Sequence, residues 1–259
     1  MTPKQAEGWL AILYGASMVL SVVSIISMVT AWQHWSWTLD SCFNVNCGCI
    51  LYGMKTVTMF IGGDVKLCHF SAYALIPVIV IGLCLSAYHG YRCFIHKNLD
   101  EPKRLNGAAR DDDRRNLNEQ VVIHMKSRTQ CKQWIPAAFV AALVCCLSLS
   151  HAIVLTDGYY KTCDQYRRNF IQMVESRGRE VQVIHDRLAC GTIFDYMDYL
   201  HPDANNWVRG AEINTGLALQ LAISTSWLNF FAWLAAFSVN MVMARKRLHS
   251  LGEKFCCCC

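Results

Sequence analysis

The chain has 259 residues, of which 54% are hydrophobic and 17% charged, and it carries a net charge of +5. The apolar excess is gathered into four blocks instead of recurring with the period of a soluble helix or strand, which marks a membrane protein and argues against a soluble domain. The basic residues fall mainly between and after those blocks, where orientation in a bilayer accounts for them, so nucleic acid is not an expected partner.

Residues 1–8 are too short to be a domain. The first block, 9–32, is longer than a signal-peptide core and has no small-residue cleavage site, so it reads as an uncleaved first span with Trp9 and Trp32 at its ends. Ser17, Ser21 and Ser24 recur within it at helical spacing and are expected to bond their own backbone carbonyls. A first extracellular loop, 33–69, carries Cys42, Cys47, Cys49 and Cys68. The second span, 70–91, contains Pro77, a predicted kink, and a ridge of small residues at Gly82, Ser86 and Gly90 that invites close helix packing.

The linker 92–133 is polar, with ten Lys/Arg against six Asp/Glu from Arg92 to Lys132, and reads as a solvated cytoplasmic segment. The third span, 134–156, repeats the small-residue pattern at Ala138, Ala142, Cys146 and Ser150. The second extracellular loop, 157–212, holds seven Lys/Arg and nine Asp/Glu. Its middle predicts one or two amphipathic helices broken near Gly178. The fourth span, 213–243, bears Ala218, Ala222, Ser226, Ala232, Ala236 and Asn240 as a small strip, with Gln220 and Asn229 as buried amides that should face neighbouring helices. A basic, cysteine-ended tail, 244–259, follows.

These elements predict an all-α integral membrane protein: a four-helix transmembrane bundle with both termini cytoplasmic and small disulfide-braced extracellular loops. Counting back from Arg245, Lys246 and Arg247, which favour the cytoplasmic side, puts Cys42, Cys47, Cys49, Cys68, Cys163 and Cys190 outside. An oxidising compartment favours pairing them, and the expected arrangement is a Cys163–Cys190 bridge with two more in the first loop. Cys256, Cys257, Cys258 and Cys259, together with Cys93 and Cys131 at the cytoplasmic ends of spans, are candidate palmitoylation sites. Cys84, Cys145 and Cys146 are expected to pack inside the helices.

Catalytic patterns are missing: there is no glycine-rich phosphate loop, nucleophile elbow or zinc helix, and no cofactor is expected. His185, Asp186, Asp195, Asp198, His201 and Asp203 form the densest polar group, and acids on an exposed helix more commonly meet water than metal. His89 and His151 are expected to bond at opposite membrane interfaces. No span has a charged residue near its centre, which weighs against ion-coupled transport.

Two resemblances add to this. Trp32, Trp35 and Trp37 ahead of Cys42 resemble the first extracellular segment of claudin-like tetraspan proteins. The chain also resembles the transmembrane protein 179 family. That resemblance is carried by Cys68-His69-Phe70-Ser71 entering the second span and by Leu85-Ser86-Ala87-Tyr88-His89 with Arg92 leaving it. Cys163 after the third span, Gln220-Leu221-Ala222-Ile223, Trp227-Leu228 and Ala232-Trp233-Leu234 also carry it. It implies the four-span plan, from which the long linker, the enlarged last loop and the cysteine tail depart. The expected function is a non-enzymatic plasma-membrane tetraspan that organises partners in cis or trans, including at septate or claudin-like cell–cell junctions. An auxiliary subunit of an ion channel or receptor is the first alternative, and a pore or transporter the second. The bilayer, other membrane proteins and a second copy of the chain are the expected partners.

Overall fold

The protein is described by a computed structural model, which covers residues 2–38, 47–56, 60–94, 134–200 and 213–256. Among the described residues, seven helices and one hairpin follow in order: α1 Pro3–Thr38, β1 Cys49–Lys55, β2 Phe60–Gly63, α2 Val65–Tyr73, α3 Ile76–Phe94, α4 Trp134–Met173, α5 Arg179–Arg187, α6 Cys190–Leu200 and α7 Thr215–Cys256. Four stretches are long and apolar enough to cross a membrane: Lys4–Ser36, Val65–Cys93, Trp134–Gln172 and Thr215–Lys246. Helix α1 packs along both α3 and α7, α7 packs on α4, and the bundle therefore runs α3–α1–α7–α4. Its outside is apolar. Ile12, Val19 and Ile26 of α1, Phe139 and Leu143 of α4, and Leu221, Leu228 and Phe231 of α7 are all exposed, a surface that suits lipid and not water.

The helices outrun the expected spans. Helix α4 continues from Thr156 to Met173, inside the segment read as loop. At 1.5 Å per residue its 40 residues reach about 60 Å, twice a bilayer core of about 30 Å. Hydropathy falls at the membrane border, but the helix is held beyond it by a buried stripe of Leu155, Tyr159, Cys163, Tyr166 and Phe170. On its wet side lie two pairs at i,i+4: Lys161–Asp157 at 2.8 Å and Arg168–Asp164 at 2.9 Å. It stops before Gly178, which at φ 61° caps the start of α5.

The second span is interrupted. Helix α2 begins at Asp64, whose carboxylate accepts the Lys66 amide at 2.9 Å. It ends at Tyr73, and α3 starts at Ile76. The break is where Pro77 dictates, because the proline has no amide to offer the Tyr73 carbonyl and its ring crowds that oxygen.

The first loop corrects the all-α expectation. Strands β1 and β2 pair as an antiparallel hairpin with Cys49 opposite Gly63 and Lys55 opposite Phe60. A bulge between Cys49 and Met54 puts Tyr52 at φ 59°. A Cβ on Gly62 would collide with the Cys47 carbonyl oxygen, so only glycine fits that position. Two clusters form the interior. One, around Trp35, Leu51, Phe60, Tyr166, Phe194 and Met197, fills a head made of the hairpin, the upper half of α4 and α6. The other, around Leu10, Tyr14, Val78, Trp134 and Trp233, fills the opposite end of the bundle.

Candidate functional site

The head is assembled from segments that arrive from both expected loops. Two cystines stitch it: Cys49–Cys68 ties the hairpin to α2, and Cys163–Cys190 ties α4 to α6. Cys47 is also disulfide-bonded, while Cys42 lies outside the described residues. Thr162 of α4 sits under the hairpin, donating to the Ile50 carbonyl at 2.7 Å and accepting the Gly53 amide at 3.0 Å. Trp32 Nε1 donates to the Gly48 carbonyl at 3.0 Å and Trp35 Nε1 to Thr215 Oγ1 at 3.2 Å, so two of the tryptophans ahead of the cysteines dock α1 against the head and α7. Arg167 donates to the Leu188 carbonyl at 2.8 Å, holding the α5–α6 link, and lies 3.4 Å from His185 Nδ1.

Electrostatics in the head serve packing. Asp198 of α6 accepts the Thr215 hydroxyl at 2.7 Å and the Thr215 amide at 3.2 Å, and His34 stands 3.7 Å away. Burial raises its pKa, against the lowering effect of the two Thr215 hydrogen bonds. Tyr52 stacks beneath Lys161, whose ammonium is 5.0 Å from the ring centroid. Its phenol is pushed up to about 12 by burial, then by the hydrogen bond and negative charge of Asp157.

A second polar region runs through the middle of the bundle. His151 Nε2 meets the Ser71 carbonyl at 2.9 Å and its Nδ1 meets Ser226 Oγ at 3.1 Å. Ser226 contacts Ser24 Oγ at 2.9 Å, and Ser24 donates to the Ala222 carbonyl at 3.1 Å. Ser17 donates to Asn229 Oδ1 at 2.7 Å, and Asn229 Nδ2 reaches Ser148 at 3.4 Å. Ser17 and Ser24 thus bond across helices, contrary to the expectation that they satisfy their own backbone. His151 is fully buried inside the bundle, with both ring nitrogens engaged by other helices. Tyr14 accepts from Asn240 Nδ2 at 2.9 Å further along the same seam.

The small residues divide. Gly82 and Ser86 pack on α1: a Cβ on Gly82 would lie 3.3 Å from the Tyr14 carbonyl, and Ser86 Oγ donates to the Ala11 carbonyl at 3.0 Å. Gly90 faces open space. Ala138 and Ala222 are buried, and Ala142 and Ala218 half-buried. The α4 row read at strict four-residue steps turns outward, with Cys146 and Ser150 exposed, because each step overshoots a full turn by about 40°. The packed face runs through Ala138, Ala141, Val144, Ser148 and Ala152 instead. Gln220 is exposed, and its amide donates to the Tyr159 hydroxyl at 3.2 Å. Cys84 and Cys146 are free and exposed, correcting their assignment to packing, whereas Cys145 is half-buried against the lower cluster.

Of the remaining candidates, Cys93 is free and 3.8 Å from where a Gly8 Cβ would stand, and Cys256 is the last residue of α7. Cys131, Cys257, Cys258, Cys259, His201 and Asp203 lie outside the described residues. Asp186 is exposed, and among the described residues no three His, Cys, Asp or Glu side chains converge as metal ligands do. The hairpin and the seam were the features missed in the sequence. Comparison with protein families, with characterised proteins and with solved structures returns no match to this chain.

Proposed function

We propose that this is a non-enzymatic four-span protein of the plasma membrane that holds other membrane proteins through its cross-linked head, including at cell–cell junctions. The observation that carries the proposal is the head itself: a hairpin, half of α4 and two short helices braced by two cystines, with Met54, Tyr160, Val174 and Val183 exposed on its elements. Stable, cross-linked ectodomains with apolar surface residues are built to be gripped. Polar atoms of the central seam that pair across helices support this reading over a pore.

Orientation follows from two independent preferences. Cystines persist in an oxidising compartment, which puts the head outside. Arg92 in the last turn of α3 and Arg245, Lys246 and Arg247 near the end of α7 stand at the opposite helix ends, and the sequence between α3 and α4 is basic, all of which favours the side where positive charge is retained. Acylation of Cys256 to Cys259 would add a lipid foothold to a chain the spans already anchor, and so would act in lateral sorting. Cys93 is free and half-buried against α1.

The test is proximity labelling with an epitope and ligase inserted between Asn106 and Arg115, followed by imaging. Enrichment of a discrete set of membrane neighbours at contact sites is the expected result. An even spread over the cell surface with no neighbour enriched over a span-only control would overturn the proposal.

A further inference from the structure

Helices α3 and α4 flank the bundle without packing extensively on each other, and a groove of about 430 Å³ lies between them. Its walls are Val80, Ile81, Leu85, Ala137 and Val140, with Tyr88 and Trp134 towards one end. Val80 and Tyr88 are exposed, so the groove opens on the side where the bundle meets lipid. At its aromatic end stands His89, held between Tyr14, stacked at 5.8 Å, and Trp134 at 6.3 Å. His89 is 7% exposed and lines the groove, yet its Nδ1 has no hydrogen-bond partner. A buried orphan nitrogen carries an unrecovered desolvation cost, which a ligand bringing one polar atom would remove.

We propose that this groove is a sterol site, with the apolar ring system against Val80, Ile81, Ala137 and Val140 and the single hydroxyl on His89 Nδ1. A hydroxyl both donates and accepts, so it complements either tautomer of the imidazole. The count of polar groups selects a sterol over a glycerolipid. One orphan nitrogen matches one hydroxyl, whereas ester and phosphate oxygens would need partners that these walls do not supply. The level is also right. His89 lies about a turn and a half from the end of α3, next to Arg92, whose guanidinium donates to the Tyr88 hydroxyl at 2.8 Å and marks the polar border. Leu85, Tyr88 and Arg92 have the leucine–tyrosine–basic spacing proposed for sterol contact. That pattern discriminates poorly alone; the groove and the orphan nitrogen give it a place.

Sterol binding is independent of any protein partner, so it can fail without touching the function proposed above. The experiment uses the full chain in phosphatidylcholine vesicles with a photoactivatable, clickable cholesterol. Saturable labelling of peptides from α3 and from the start of α4 is expected, competed by cholesterol and not by cholestene, which lacks the hydroxyl, or by diacylglycerol. His89→Phe, which keeps the aromatic stack, should weaken competition by about tenfold, the loss of one hydrogen bond. Ala137→Phe, at a half-buried position, should fill the groove and abolish labelling there. Labelling spread over all four spans would overturn the proposal. So would equal competition by cholestene, displacement by diacylglycerol, or insensitivity to both substitutions.

Discussion

The imidazole of His151 and the hydroxyl of Ser226 meet at 3.1 Å in the interior of the bundle, and through them α4 is tied to α7. Ser71 of α2 closes the contact on the other ring nitrogen and Ser24 of α1 on the other side of Ser226, so four helices share one chain of hydrogen bonds. In a membrane such bonds average about 0.6 kcal/mol and reach about 1.7 kcal/mol each. His151→Phe, which removes two of them, should destabilise the protein by about 1–3 kcal/mol in thermal unfolding in detergent. Ser150→Ala, one residue away but exposed and bonded only to the Cys146 carbonyl, should stay within about 0.5 kcal/mol. Because the members polarise one another, Ser24→Ala combined with His151→Phe should cost less than the two separately.

The Cys163–Cys190 cystine closes 27 residues, a span for which chain entropy gives about 3.5 kcal/mol. Replacing both with serine should release α5 and α6 first, since Ile193, Phe194 and Met197 reach the core only from that short segment. Hydrogen exchange should therefore accelerate over 179–200 while the buried amides of α1 and α7 remain slow. Uniform acceleration would mean that the head and bundle unfold as one unit.

The four spans were legible because lipid demands long uninterrupted apolar helices, and the break before Pro77 was legible because proline has one backbone effect. The ends of the helices were not. Past Thr156, α4 is held by Tyr166 packing on Phe60 and Tyr159 on Phe194, partners that no local window contains. The hairpin was hidden for a similar reason. Ile50-Leu51-Tyr52 is too short to announce a strand, and its pairing is pinned by Thr162, more than a hundred residues away. The spacing of Ser17 and Ser24 was visible, but whether a serine bonds its own helix or another depends on which neighbour faces it. The expected polar cluster of the large loop resolved into separate duties, with Asp198 given to Thr215 and His185 placed beside Arg167.

Asp198 makes the head sensitive to pH. The unfolded carboxyl titrates near about 4, and burial raises the folded value above that. Between these two values the folded state holds the proton that the unfolded state has released. Stability therefore falls as pH rises through that window and levels off above the folded pKa. The charged or polar groups facing the carboxyl are Thr215, His34 and Asp195. The difference in melting temperature between wild type and Asp198→Asn, measured from pH 4 to 8, should shift in favour of the variant with rising pH. Parallel curves would show that Asp198 does not titrate differently in the two states.

At the far end of the bundle, Glu7 of α1 and Arg92 of α3 pair at 3.1 Å, with the Glu7 side chain 3% exposed and that of Arg92 17% exposed. Such a pair adds little net stability, because desolvation offsets the attraction, but removing one partner leaves the other charge less compensated. The two removals should not be equal. Arg92 has a long stem and a second contact at the Tyr88 hydroxyl, so after Glu7→Gln its guanidinium can swing towards the membrane surface and rehydrate. Glu7 is short and enclosed, so Arg92→Gln should be the more costly change and Glu7→Gln distinctly less costly. Combining Glu7→Gln with Arg92→Gln should recover most of the larger loss, as two amides in contact can bond each other without burying charge. Unfolding of the three variants in detergent at constant pH decides the matter. Equal single losses, or a double variant at the sum of the singles, would mean that the two side chains act independently and that the ion pair does not hold α1 to α3.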